Sequence, residues 1–170
     1  PDGMAIDSAG NLFLAATNLS TFEDHGSKIL TFDENDKPIT WFDKLPLHPI
    51  TKKVHPMGIE FGQDGNLYIA DNQNFAGQFN QSRILRIVVQ NGIPIKAEVV
   101  VEGLGFSNGI RLYKNHLYLT DFMFEDGKES GIYSFNLEDF NNNKIVMDVQ
   151  TRKKHLIGTF PIGIDGIALD

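Results

Sequence analysis

Apolar and polar residues alternate through short stretches of this chain, and the alternation returns at long, regular intervals. Leu12-Phe13-Leu14-Ala15-Ala16, Leu67-Tyr68-Ile69-Ala70-Asp71 and Leu117-Tyr118-Leu119-Thr120-Asp121 share one pattern. Each follows a turn: Ser8-Ala9-Gly10-Asn11, Gln63-Asp64-Gly65-Asn66, and the one-residue-shorter Lys114-Asn115-His116. Each turn in turn follows an alternating stretch that opens on glycine, namely Gly3-Met4-Ala5-Ile6, Gly58-Ile59-Glu60-Phe61 and Gly109-Ile110-Arg111-Leu112. Strand, turn and strand in this order predict antiparallel hairpins. A third strand is predicted at Lys28–Phe32, Ile84–Ile87 and Ile132–Phe135. A fourth is predicted at Ile39–Phe42, Glu98–Val101 and Lys144–Met147. The only helical signal is a single turn within Asn136–Asn142.

The repeat decides the fold class. Spacings of 55, 51 and 57 residues separate Gly3, Gly58, Gly109 and Gly166, and a fourth copy opens at Asp165-Gly166-Ile167. Four-stranded units recurring at this interval predict an all-β protein, a β-propeller of four-stranded antiparallel blades. The expected blades cover residues 2–45, 56–102 and 107–160, with the start of a further blade at 164–170, all in one propeller segment, 1–170. About three blades do not close a ring, so the expectation is a segment of a longer chain or self-association of two halves. Longer connections at 18–27, 72–82 and 122–130 all join the second and third strands of a blade, where repeat proteins tend to build a binding face.

Composition narrows the function. Of 170 residues 41% are hydrophobic and 22% charged, an ordinary soluble balance, and the net charge of −7 argues against nucleic acid as the main partner. The basic cluster Arg152-Lys153-Lys154-His155 reads as a solvated turn or strand end. No apolar run approaches the length of a membrane span. There is no cysteine, which removes disulfide and thiolate chemistry but fixes no compartment; cytoplasmic and secreted or periplasmic settings both fit.

Candidate chemistry sits at the blade starts. The first strand of each propeller blade lines the central channel, so equivalent positions point to a common axis. The residue before each anchoring glycine is Asp2, Met57, Asn108 or Asp165. Three of the four carry oxygen ligands, which suit a hard cation, Ca²⁺ most naturally and Mg²⁺ or Zn²⁺ as alternatives. Asp or Asn before Gly is also common turn chemistry, so a plain scaffold reading stands beside the metal one. Asp71 and Asp121 close the second strand in two blades, as candidate bases or as strand-end caps. Among the histidines, His55 lies nearest a channel strand. Ser107 and Ser130 lack a nucleophile elbow.

The motifs Asp2-Gly3-Met4-Ala5-Ile6-Asp7, Ser107-Asn108-Gly109-Ile110 and Ile164-Asp165-Gly166-Ile167 resemble the blade starts of the gluconolactonase and senescence-marker-protein family. Pro56-Met57-Gly58-Ile59 with Leu67-Tyr68-Ile69-Ala70-Asp71 is similar to the related strictosidine-synthase-like propellers. The resemblance implies a six-bladed ring, a divalent cation in the channel, and hydrolysis of a small-molecule lactone or ester. It implies Asn108 and Asp165 as metal ligands, with Asp2 a ligand or an ordinary lining residue, and Asp165 as catalytic base, with Asp121 a second candidate. Met57 departs from the family, which carries a channel Asn there. Two rival expectations are an NHL-like propeller that binds a ligand or protein without catalysis, and a strictosidine-synthase-like member whose hydrolytic site has decayed.

Overall fold

The computed structural model describes residues 2–17, 26–122, 130–161 and 163–168. Most of the connections 18–27 and 122–130 therefore lie outside the described residues. The chain forms three sheets. β1 (Met4–Ile6), β2 (Leu12–Ala16), β3 (Lys28–Phe32) and β4 (Pro38–Phe42) make the first, in sequential antiparallel order. β5 (Pro56–Phe61), β6 (Leu67–Asp71), β7 (Ser82–Gln90) and β8 (Ile93–Leu104) make the second. β9 (Phe106–Tyr113), β10 (His116–Phe122) and β11 (Ser130–Asn136) begin the third. Neighbouring strands that follow one another in sequence, three sheets in succession, are the propeller blades the repeat predicts.

Local chemistry sets the hairpins. Gly10 and Gly65 take φ of +88° and +78°, a left-handed turn conformation that suits glycine. Asp7 accepts from the Ala9 and Asn11 amides and from the Asn11 side chain. Asp64 repeats the arrangement with Asn66 and adds the Tyr68 hydroxyl. Both aspartates thus cap turns.

The core lies between blades. One cluster, with Phe13, Ile29, Phe42, Ile59, Leu67 and Leu85, joins the first two sheets. The other, with Tyr68, Ile84, Val101, Leu117, Leu119 and Phe135, joins the second and third. The middle blade therefore packs on both faces, which is why β6 is buried at every position and β7 through Ile87.

The third blade departs from expectation. The predicted fourth strand, Lys144–Met147, does not close it. Its central pair, β12 (Ile145–Val146), instead runs parallel to β8 of the second blade, with Ile145 opposite Val101 and Val146 opposite Glu102. Lys144 pairs with Glu102 at 2.6 Å, and Met147 is buried in the core between these two blades. The open edge of β8 is covered in this way, as sheet edges generally require. The chain then forms α1 (Val149–His155), whose cap Asp148 accepts from the Thr151 amide. β13 (Leu156–Phe160) returns antiparallel to β11 as the true fourth strand. The basic cluster consequently lies in the last turn of a helix and not in a solvated turn or strand end: Lys153 and Lys154 are exposed, while His155 is buried and stacks on Phe135 at 4.8 Å. The single helical turn expected after Phe135 is present, as a 3-10 helix over Leu137–Asn141. No helix among the described residues is long and apolar enough to cross a membrane.

Candidate functional site

The blade starts meet one another through their backbones. A Cβ on Gly3 would clash with the Met57 carbonyl, and one on Gly58 with the Asn108 carbonyl. A Cβ on Gly109 would lie 2.5 Å from the Asp165 carbonyl and 3.0 Å from the Cα of Gly166. Glycine is needed at these positions because the next blade occupies the space of a side chain. The contacts also fix the register. Asp2, Met57, Asn108 and Asp165 occupy successive steps around one axis, since each lies beside a glycine in this chain of contacts. The Gly109 amide donates to the Asp165 carbonyl at 3.1 Å and to the Thr120 hydroxyl at 2.8 Å, which ties the fourth copy to the third blade.

The donor set on this ring is two carboxylates and one amide, all hard oxygen donors. Asp2, Asn108 and Asp165 are exposed or half-buried, whereas Met57 is 6% exposed and belongs to the apolar core between the second and third blades. The Asp2 carboxyl is held above its usual value, first by desolvation and then by the negative charge of Asp165. A carboxylate whose ionisation is opposed by a neighbouring carboxylate is a fit for a divalent cation, which relieves the repulsion. Among the described residues, no three His, Cys, Asp or Glu side chains gather at one point.

Asp71 and Asp121 hold equivalent places just behind the ring, and both are fully buried. Asp71 accepts from the His55 amide at 2.8 Å and pairs with Arg83 at 2.6 Å. Asp121 accepts from the Gly105 amide at 3.0 Å and pairs with Arg152 at 3.2 Å. In both blades the carboxylate thus grips the residue that leads into the first strand. The arginine then reaches a carbonyl that belongs to the preceding stretch of chain, that of Pro46 in the inter-blade connection for Arg83 and that of Gly103 near the end of β8 for Arg152. Burial pushes the Asp121 carboxyl above the usual range, and the Gly105 amide and Arg152 offset part of that rise. Its Oδ1 has no protein partner among the described residues.

The two arginines carry no common signal in the sequence because they sit in unlike places, one on β7 and one on α1. Only the matching aspartates repeat. Ser107 and Ser130 are buried scaffold residues, and Ser107 lies against the Asp71 carbonyl. His55 is buried just before β5, with Pro56 opposite Asp71 in the sheet register. A group of aromatic rings at the same end of the blades, Phe75, Phe106 and Phe122, was likewise not anticipated.

No protein-family model and no curated protein sequence matches the chain. Solved structures do. A gluconolactonase from Xanthomonas campestris aligns with 99% of this chain and 52% of its own length, at a TM-score of 0.60 and 15% identity. A second protein assigned as a gluconolactonase aligns over 96% and 52%, at a TM-score of 0.58 and 14% identity. An oxidoreductase of glucose dehydrogenase type from Thermus thermophilus aligns over 78% and 44%, at 0.53 and 18%. The chain thus spans about half the length of the solved structures it matches, and its fold is that of the gluconolactonase-type β-propeller.

Proposed function

We propose that this chain carries part of the site of a divalent-metal-dependent hydrolase acting on a small-molecule lactone or ester. The observation that carries the reading is the register of Asp2, Asn108 and Asp165, oxygen donors on three of four successive steps of one axis, with Asp165 close enough to raise the Asp2 carboxyl further after desolvation. The likeness to gluconolactonase structures supports the same class of chemistry.

Asp2, Asn108 and Asp165 would hold the cation, Ca²⁺ or alternatively Mg²⁺ or Zn²⁺. Bound there, it supplies Lewis-acid polarisation of a carbonyl oxygen. Asp165 is the proposed base, placed at the edge of the ring where its carboxylate is exposed to water and accepts a proton from it. Asn108 orients its amide oxygen from β9, a strand clamped at its start by Asp121 through Gly105. Wholly buried, Asp121 is a positioning residue in this scheme. Met57 supplies no polar contact at its step, and this favours a second reading, a propeller that binds its ligand without catalysis.

Calcium titration by calorimetry on the full-length protein, with lactone hydrolysis followed before and after chelation, separates the two. Asn108→Ala and Asp165→Ala should each weaken binding, whereas Asp7→Asn, at a turn cap, should leave it alone. Parent-like metal binding in both ring variants would overturn the channel assignment. Absence of turnover with any lactone or ester would favour the binding module.

A further inference from the structure

Two residues ahead of the oxygen ring, at the end of the blades where the first strands begin, the same register carries His55, Phe106 and Gly163. Two strand residues amount to about 7 Å. The position is not empty of chemistry. Phe75, on the 3-10 turn Gln73–Ala76 after β6, stands edge-on between His55 and Phe106, with ring centroids 6.0 Å and 5.4 Å apart. Phe106 meets Phe122 at 6.2 Å, and Phe122 lies directly against Gly163, where a Cβ would come within 2.9 Å of its ring. The rings form one continuous row from the second blade, across the third, to the start of the fourth copy.

Within the row Phe75 is 44% exposed, while Phe106 and Phe122 are half-buried. At its inner end His55 is buried, and its Nδ1 has no protein partner among the described residues. Burial also holds its imidazole below the usual value, so the ring is neutral near neutral pH. A partly exposed aromatic row with an unpartnered polar atom buried at its inner end is the composition of a site for an apolar ring system. A site built for a polyhydroxylated ring would present several hydrogen-bonding side chains instead.

We propose that His55, Phe75, Phe106 and Phe122 form the binding floor for a flat, apolar ring carrying one polar atom, seated beside the oxygen ring. The inference rests on the hydrolase reading for its meaning as substrate choice: a lactone or ester with an aryl or alicyclic body, in preference to a sugar lactone.

Binding can be tested apart from turnover. The probe is chroman, an aromatic bicycle with one ring oxygen and no hydrolysable bond, titrated into the full-length protein and followed by amide NMR shifts. Shifts should gather at His55, Phe75 and Phe106, and Phe75→Ala should weaken binding about tenfold, the scale of one lost aromatic contact. Phe79→Ala, at a 62% exposed residue outside the row, should bind like the parent. Methyl glucoside should not compete. Parent-like binding in Phe75→Ala, chroman shifts elsewhere, or equal competition by the glucoside would overturn the proposal. Phe106→Leu, which keeps apolar bulk but removes the ring, repeats the test if Phe75→Ala melts early. Metal titration of the same samples keeps the two readings apart: chroman bound without metal binding counts against the hydrolase alone, and metal binding without chroman counts against the aromatic floor alone.

Discussion

Replacing Gly58 by alanine should separate the second and third blades. Gly58 shows no left-handed backbone, so alanine fits its conformation. The obstacle is space: the new methyl would overlap the Asn108 carbonyl and lie 3.0 Å from the Ile110 amide. Both obstacles are backbone atoms of β9, held in register with β10, so neither can turn away as a side chain would. Relief requires β9 to retreat, which opens the core around Tyr68, Ile110 and Leu119. Overpacking of this kind costs about 1–3 kcal/mol. Against it stands a gain of about 0.4–1 kcal/mol from the stiffer unfolded chain. The net loss, about 1–2 kcal/mol, should lower the melting temperature by about 2–8 °C in a chain of this size. Gly26→Ala is the control, because nothing lies within 4 Å of its Cβ position and its backbone needs no glycine. Calorimetric melts of both variants decide the matter. If Gly58→Ala and Gly26→Ala unfold together, the blade starts do not touch as described and the register of the oxygen ring loses its basis.

Arg83→Met leaves Asp71 buried without its cation, which should cost about 3–5 kcal/mol by urea titration. Phe135→Ala removes a fully buried ring from the core between the second and third blades and should cost about 3–5 kcal/mol in the same assay. His48 is held below the usual imidazole value by burial first and by Arg83 second, and its Nδ1 accepts from the Ile50 and Thr51 amides as only a neutral ring can. A depressed imidazole stabilises fully above the unfolded value of 6.5, and that stability is lost as pH falls below it. Acidification from about pH 7.5 to about 5.5 should therefore lower the urea midpoint of the parent more than that of His48→Gln, and equal shifts would show that His48 does not titrate this way.

The repeat was legible because the anchoring glycines and the alternating strands act locally. A turn needs its glycine and a half-buried strand its alternation, wherever the partners lie. The third blade shows where such legibility stops. Lys144–Met147 has the composition of a strand, and an edge beside it is what made it one, but the edge belongs to β8 and not to β11. Partner choice is a tertiary matter that no local pattern encodes. The clamps behave in the same way. Asp71 and Asp121 stand in matching sequence positions, yet their arginines lie 12 and 31 residues away. The fold requires a cation at that point in space and is indifferent to the element that delivers it. The aromatic row escaped notice for a related reason, since Phe75, Phe106 and Phe122 come from three separate elements.

The glycine contacts separate two duties that proteins usually combine in one residue. Glycine and backbone carbonyls set the spacing between blades, so the residue before each glycine is relieved of that task. At three of the four steps it is also free of the apolar core, and there aspartate and asparagine stand on a common frame. Only Met57 has been drawn into the packing. Such an axis behaves as a row of sockets at fixed pitch. A new donor, or the loss of one, needs a single codon and leaves the scaffold's dimensions as they were. A lineage built on it could change the chemistry along that axis without passing through an unstable intermediate.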